Sequence, residues 1–174
     1  MNELDEFWEK MMQDEMLNAQ TSGRTDIVEY LALKSANDSI RSTGCRWLFE
    51  SFIELSDETN RQGIKLDIEN ENPHRFSVGH STMVGSLLQI KYGLRNLTIE
   101  AGWTRTPQDG FIRGGGLACA RISHFGMSKF NAELLLVNHH QTAPQWFILF
   151  DEGGRKPLSS NSLRDHFNLF LGAT

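Results

Sequence analysis

Apolar residues in the first part of the chain recur with the period of an α-helix. Between residues 3 and 19 they fall three or four positions apart, which places them on one helical face. This predicted stripe contains Leu4, Phe7, Trp8, Met11, Met12 and Met16. Asp26, followed three residues later by Glu29, is a capping pattern that predicts the start of a second helix, and we expect that helix to end or bend near residues 35–39.

A third apolar stripe, in residues 40–55, follows the rhythm of a helix that faces a core. Gly63 predicts the end of this helix, because glycine readily adopts the left-handed conformation found at helix ends. After Gly63 the period changes to two, and apolar and charged residues alternate through residues 64–69 as in a strand with one solvated face. This change predicts a boundary between a helical region, residues 1–63, and a sheet region, residues 64–158.

The sheet region consists of short apolar runs separated by Gly, Pro and Asn, the spacing of an antiparallel meander. Residues 70–73 predict a polar loop, and Gly93-Leu94-Arg95 predicts a tight hairpin turn. We expect strands near residues 75–79, 84–92, 96–103, 111–113, 117–125, 130–138 and 145–151. The runs at 132–137 and 146–150 are apolar on both faces, so they predict layers on both sides of the sheet, with the helices as the cover.

A last helix is predicted in residues 159–174, starting at about Ser162, where Ser162 and Asp165 form a capping pattern ahead of an apolar stripe. The expected fold is therefore α+β: N-terminal helices packed on a mainly antiparallel, meander-like sheet of about six strands, closed by a C-terminal helix. No stretch has the composition of a flexible linker, and 174 residues can form one core. We expect a single domain, residues 1–174.

Composition and charge disfavour several classes of protein. The residues are 39% hydrophobic and 22% charged, as in globular proteins, and the net charge of −5 argues against general nucleic-acid binding. The first 15 residues hold six acids and only Lys10 as a base. No signal-peptide pattern and no apolar run of roughly 20 residues is present, so we expect a cytoplasmic protein without a membrane partner. Cys45 and Cys119 are expected to be reduced, packed thiols.

Two local patterns can indicate ligand chemistry. Gly114-Gly115-Gly116 beside Arg113 can let backbone N–H groups approach an anion. A phosphate loop also needs Lys-Ser/Thr and a following helix, which this pattern lacks, so a bulge or turn between strands explains the glycines as well. His139 and His140 are adjacent and would point to opposite faces of a strand. The six histidines therefore predict no metal site, and no motif predicts a cofactor.

Six polar residues that fall on or between three neighbouring predicted strands form a third pattern. They are Glu100, Arg105, Asp109, Arg113, Arg121 and His124. On a concave sheet they could converge, with Glu100 or His124 as acid or base and an arginine holding an anionic group. In the predicted register Glu100 lies opposite the Leu97 face, and Arg121 and His124 lie on opposite faces of their own strand, so the six cannot all share one site. Exposed cross-strand ion pairs are the structural alternative.

These patterns favour a non-enzymatic protein-interaction or assembly module, in which the first helix supports a homodimer or binds a protein partner through its Met- and Trp-bearing face. The alternative is an anionic small-molecule binding protein or an enzyme, with a pocket between the curved sheet and the helices. The predicted ligand-binding residues of that pocket are Trp103, Arg105, Arg113 and Trp146. Nucleic-acid binding is a third hypothesis, opposed by the net acidity. No motif identifies a catalytic residue.

Overall fold

The computed structural model describes residues 3–21 and 23–173, and the side chains of residues 3–6, 19 and 20, Leu4 of the predicted stripe among them, lie outside that description. The helices are α1, Glu3–Thr21, α2, Thr25–Arg61, and α3, Ser160–Leu171. The strands are β1, Asp67–Val78, β2, Ser81–Tyr92, β3, Arg95–Trp103, β4, Ala118–His124, β5, Ala132–Val137, β6, Gln145–Leu149, and β7, Arg155–Pro157. The order of N-terminal helices, sheet and C-terminal helix confirms the predicted α+β class, with seven strands in the described residues where about six were expected.

Contacts between residues divide the chain into two compact units, Met1–Ser39 and Ile40–Thr174. The first unit contains α1 and the N-terminal part of α2. The second unit contains the rest of α2, the sheet and α3. The single domain of residues 1–174 stays a prediction.

Helix α2 extends from Thr25 to Arg61 as one helix, so the predicted helix end near residues 35–39 is wrong, and the alternative of a bend there stays a prediction. The polar residues of that segment cost a helix interior at most about 0.7 kcal/mol each relative to alanine, and no proline interrupts the helix. One helix therefore replaces the two that were expected. The predicted stop at Gly63 is confirmed, because this glycine has a φ of 98° just after the helix ends.

The seven strands form one antiparallel sheet in sequence order, which is the meander that the turn spacing predicted. The predicted hairpin turn between β2 and β3 is also confirmed, with a φ of 58° at Gly93. Strand β7 is three residues long, Arg155, Lys156 and Pro157, and all three are exposed. It has no apolar alternation, so the sequence pattern did not predict it.

Strand β1 joins two strands that were predicted separately. The loop expected at residues 70–73 is wrong, because these residues continue β1 through a register shift between Glu71 and His74. A bulge on an edge strand accommodates polar residues and a proline. Proline has no N–H group to donate to a neighbouring strand, and on the solvent side of an edge strand none is needed.

The strand expected at residues 111–113 is wrong. The segment between β3 and β4 instead forms two short 3-10 turns, Pro107–Asp109 and Arg113–Gly115. Gly110 and Gly114 in this segment have positive φ, a conformation that interrupts a pleated strand.

One face of the sheet, the core face, carries the main hydrophobic core. Alternate strand residues pack there against α2 and α3. The largest fully buried side chains of this core are Leu48, Phe52, Leu88, Ile90, Leu97, Ile99, Ile122, Leu134, Leu136, Leu163 and Phe170. Helix α3 begins two residues earlier than the predicted Ser162, because Ser159 is the residue whose side chain caps it.

The opposite face, the second face, carries a smaller apolar cluster made of Phe76, Met83, Cys119, Leu135 and Val137. Ile112, from the segment between β3 and β4, packs against this cluster. A helical cover was expected for this face, and that expectation is wrong for the cluster, because the β3–β4 segment supplies the cover. The apolar pattern could not show this, since Ile112 lies in no periodic run.

Candidate interaction surface

Large apolar side chains exposed to solvent are concentrated in the unit Met1–Ser39. Five of the described residues there are at least half exposed: Phe7 60%, Trp8 50%, Leu17 62%, Tyr30 65% and Leu33 57%. The larger unit, Ile40–Thr174, has seven exposed large apolar residues over more than three times the length. Single exposed apolar residues are common on soluble proteins, whereas large contiguous apolar patches are rare outside binding surfaces.

On α1, aromatic and acidic residues share a face. The Phe7 and Trp8 rings lie edge to face with their centroids 6.2 Å apart. Asp14 follows Phe7, and Glu15 follows Trp8, by seven residues or about two helical turns, so each exposed carboxylate lies on the same side of α1 as one of the two rings. Residues 1–39 hold nine acidic and three basic residues, a net charge of −6, whereas the rest of the chain carries +1, so the net negative charge of the chain lies in this unit. The exposed apolar residues of α1 therefore lie in the acidic part of the chain.

Two of the four predicted ligand-binding residues are brought together by the structure. The guanidinium of Arg105 lies over the Trp103 ring, with Cζ 3.7 Å from the ring centroid. Nε and Nη2 of Arg105 also donate to the carbonyl oxygen of Val84, at 3.4 and 3.2 Å. The contact stacks an arginine on an aromatic face at the end of β3 and orients it through the backbone of β2.

The other two predicted ligand-binding residues lie elsewhere. Trp146 is buried on the core face, where its Nε1 donates to the carbonyl oxygen of Gly44 at 3.0 Å. Arg113 is exposed in the segment between β3 and β4. The ligand-binding role of these four residues stays a prediction, and the geometry gives Trp146 a structural role in joining β6 to α2.

An open groove of about 340 Å³ lies between α2 and α3. It is lined by Ser51, Glu54, Leu55, Glu58, Arg61, Ser160, Leu163 and Arg164. Arg164 and Glu58 face each other across it at 3.9 Å, and both are about half exposed. The Arg164 and Glu58 side chains are solvated, and none of the predicted ligand-binding residues lines the groove.

A polar cluster on the second face of the sheet joins three strands. Oε1 of Glu100 lies 2.8 Å from Nε2 of His74, and its Oε2 lies 3.5 Å from Nη1 of Arg121. Arg121 donates through Nη2 to the carbonyl oxygen of Ser77 at 2.6 Å, and Nδ1 of His74 lies 3.4 Å from a carboxylate oxygen of Glu71. Because each charged group faces another member of the cluster, the geometry supports a structural ion network across β1, β3 and β4.

The predicted faces of the six-residue pattern are confirmed by the strand register. Glu100 pairs with Arg121, whereas His124 pairs with Leu97 on the core face. The structure therefore brings Glu100 and Arg121 together and separates both from His124. The sequence missed His74, because β1 reaches β3 only across β2, and no local pattern predicts which residues meet across an intervening strand.

The segment after β3 is held by the carboxylate of Asp109. Its Oδ2 accepts hydrogen bonds from the backbone N–H groups of Arg105 and Thr106, at 2.9 and 3.0 Å, and its Oδ1 lies 3.1 Å from Nη2 of Arg75. These contacts, the N–H of Arg105 foremost, lower the pKa of Asp109 below its ordinary value of 3.8. Arg105 and Asp109, both members of the predicted pattern, therefore meet in a contact that shapes the backbone.

Asp109→Asn is expected to lower the melting temperature near neutral pH, because the amide keeps the shape but loses the charge that these donors stabilise. The folded pKa of Asp109 is lowered, so its carboxylate stabilises the fold above pH 3.8 and this contribution is lost as the pH falls through the folded pKa. Thermal unfolding of Asp109→Asn and of the exposed control Gln108→Ala measures the effect. Equal melting temperatures for the two variants near neutral pH would contradict the role of Asp109.

Both cysteines are buried and free, as predicted. Burial raises the pKa of the Cys45 and Cys119 thiols to about 12, so both remain neutral at physiological pH. Neither thiol is therefore activated as a nucleophile.

The glycine-rich pattern lies in the segment that covers the second face. Gly114 and Gly115 have positive φ, and a strand follows them, β4. A Cβ at Gly116 would lie 2.1 Å from Cδ1 of Leu135, so this glycine lets the backbone lie close to the sheet. Gly116 therefore serves the close packing of the segment, whereas a Cβ at Gly115 would meet no atom within 4 Å.

Comparison with models of protein families, with curated proteins and with solved structures gives no match for this chain.

Within 3–21 and 23–173, no three His, Cys, Asp or Glu residues are grouped so that they could hold a metal ion. No helix in the same part of the chain is both long enough and apolar enough to cross a membrane.

One pair of histidines joins the sheet to α3. His124, the last residue of β4, is buried, and its Nε2 lies 2.9 Å from Nδ1 of the half-buried His166. The two rings stack with an interplanar angle of 20°. The two residues are 42 positions apart, so no local pattern in the sequence relates them, and His166 lies in no motif.

Proposed function

We propose that the protein is a non-enzymatic assembly module whose N-terminal unit, residues 1–39, associates with the same unit of a second copy. The observation that supports this proposal is the concentration of exposed large apolar residues in that unit, led by Phe7 and Trp8 on α1. Removing a large apolar side chain from water contributes about 1.5–3 kcal/mol to the free energy of association. In a symmetric dimer both copies bury the same residues, so this contribution is made by each copy.

The acidic charge of the unit works against this association. Two copies of α1 bring like charges together, and salt screens such repulsion over roughly 10 Å at 0.1 M. Association of two copies should therefore become tighter as the salt concentration rises, because the apolar term remains and the repulsion falls. A basic protein partner would give the opposite salt dependence.

Phe7→Ser combined with Trp8→Ser is expected to weaken self-association by more than about tenfold, because it removes the largest exposed apolar area on α1. Light scattering over a range of protein concentrations, at about 50 and about 500 mM NaCl, measures the mass of each variant. We expect the unmodified chain to reach twice its monomer mass and the double variant to remain monomeric.

Leu94→Ser is the matched control. Leu94 is 97% exposed, but it lies in the hairpin between β2 and β3 and outside the proposed surface. This variant should associate like the unmodified chain. A monomeric unmodified chain at every concentration would overturn the proposal, and equal loss of association in both variants would show that the surface is not specific to α1.

A further inference from the structure

Within the described residues, a hydrogen bond between His124 and His166 joins two ring nitrogens. Nδ1 of His124 is buried and has no hydrogen-bond partner among the described residues. A buried N–H donor without a partner costs more than a buried acceptor without one. We therefore assign the proton of His124 to Nε2, which donates to Nδ1 of His166, and we leave its Nδ1 as the unprotonated nitrogen.

Proton uptake disrupts this arrangement in either of two ways. If His166 gains a proton at Nδ1, two N–H groups face each other, unless His124 moves its own proton to the buried Nδ1. That move leaves an unpaired donor inside the core. If both rings are charged, two positively charged rings face each other with their N–H groups across 2.9 Å in a partly buried contact. The neutral pair is the only protonation state that satisfies the contact at low cost.

We propose that His124 and His166 form an acid-sensitive clasp that holds α3 against the sheet and releases the helix when the pair takes up a proton. Helix α3 packs against the core face of the sheet. The side of α3 that faces the core carries the buried side chains of Leu163, Phe167 and Phe170. Release exposes these three side chains together with the part of the core face beneath them.

The charged groups around the pair set the pH range of the clasp. Burial, and then the charge of His166, lower the pKa of His124 from 6.5 to about 4. Burial also lowers the pKa of His166, while Asp165 on the same helix opposes that shift. On the sheet side, His124 contacts the Phe130 ring edge, and its backbone N–H donates to Asn131. Arg95 lies near the far end of α3, where it donates to the carbonyl oxygen of Phe170 at 3.4 Å.

The sign of the effect follows from these shifts. With α3 released, His124 titrates at its ordinary pKa of 6.5, whereas in the closed state it binds a proton only near pH 4. Acid therefore favours the released state between these two values. From about pH 7.5 to about pH 5 the opening constant of α3 should rise about 30-fold from His124 alone. The clasp is closed at neutral pH and loosened below pH 6.5.

Hydrogen exchange of the α3 amides, corrected for the intrinsic pH dependence of exchange, tests the proposal on the full chain. We expect α3 to lose protection as the pH falls while the β2 and β3 amides keep theirs. The variant His124→Gln with His166→Asn replaces the rings by amides that can still form a hydrogen bond but do not titrate. In this variant the protection of α3 should stay constant over the same range. His80→Gln, at an exposed histidine, is the matched control and should behave like the unmodified chain.

Two outcomes would overturn the clasp. One is loss of protection in α3 and in the central strands at the same pH, which would mean global unfolding. The other is unchanged acid sensitivity in the double amide variant. If that variant does not fold, the ring Cε1–H resonances of the unmodified chain decide the question by NMR. Titration of His124 near its ordinary pKa of 6.5 would then exclude the clasp, and titration near pH 4 would support it.

Discussion

Gly85→Ala is expected to lower the free energy of unfolding by at least about 3 kcal/mol. A Cβ at this position would lie 1.9 Å from the carbonyl oxygen of Ala101 and 2.6 Å from Cα of Gly102, on the neighbouring strand β3. These are backbone atoms, so no side-chain rotation can relieve the overlap. Gly102 faces the same restriction, because its Cβ would lie 2.6 Å from the carbonyl oxygen of Val84.

Urea unfolding of the purified variant measures the loss, and Gly154→Ala is the matched control. A Cβ at Gly154 would meet only a side-chain atom of Phe150 at 3.7 Å, which is ordinary contact, and this glycine has no positive φ. We expect the control to unfold like the unmodified chain. If Gly85→Ala unfolds at the same urea concentration as the control, the close approach of β2 and β3 is wrong.

The glycine pair also accounts for the polar cluster on the second face. His74 pairs with Gly85, which in turn pairs with Gly102, so no side chain stands on β2 or β3 at that level of the second face. The His74 ring can therefore extend across β2 and reach Glu100 on β3 at 2.8 Å. Strand glycines of this kind mark places where backbones approach closely and a sheet bends.

Trp146→Ala is expected to cost about 3–5 kcal/mol of stability, because it empties a large buried site on the core face. Trp146→Phe should cost much less, about 1 kcal/mol for the lost hydrogen bond to Gly44 plus a smaller loss of packing. Chemical unfolding of both variants gives the two values. This test bears on function, because the sequence predicted Trp146 as a ligand-binding residue.

Trp47→Ala is the control for the loss of a tryptophan, since Trp47 is 40% exposed on α2. We expect a cost well below that of Trp146→Ala. A stable, fully folded Trp146→Ala protein would mean that this side chain is not part of the core, and would restore it as a candidate ligand-binding residue.

Much of the secondary structure could be predicted from the sequence, because it depends on residues close together in the chain. The period of 3.6 in residues 40–55 and the stop at Gly63 describe the core-facing end of α2 correctly. The alternation in β3 assigned Leu97 and Glu100 to opposite faces, and the strand register confirms it. That alternation was enough to show that the six polar residues could not share one site.

The errors arose where local preference was overruled by the rest of the fold. Polar residues at 35–39 predicted a helix end, but these residues lower the stability of a continuous helix only slightly. Residues 70–73 looked like a loop, but strand pairing with β2 extends through a bulge. The segment around Ile112 looked like a strand, yet it turns and covers an apolar cluster.

The candidate sites depend still more on tertiary structure. The apolar face of α1 could be predicted from the sequence, because the spacing of residues within one helix is enough to define it. His74 with Glu100, and His124 with His166, are 26 and 42 positions apart, and no pattern relates the members of either pair.

The amino-acid sequence by itself determined the class of the fold, the boundary at Gly63 and the two faces of the strands, because these follow from periodicity over a few neighbouring residues. Only the tertiary structure decided which polar groups meet, which of them are shielded from water and hence which pKa values shift. Those properties depend on which strands are neighbours, how closely their backbones approach and where the last helix packs, and these are set by contacts between residues far apart in the chain.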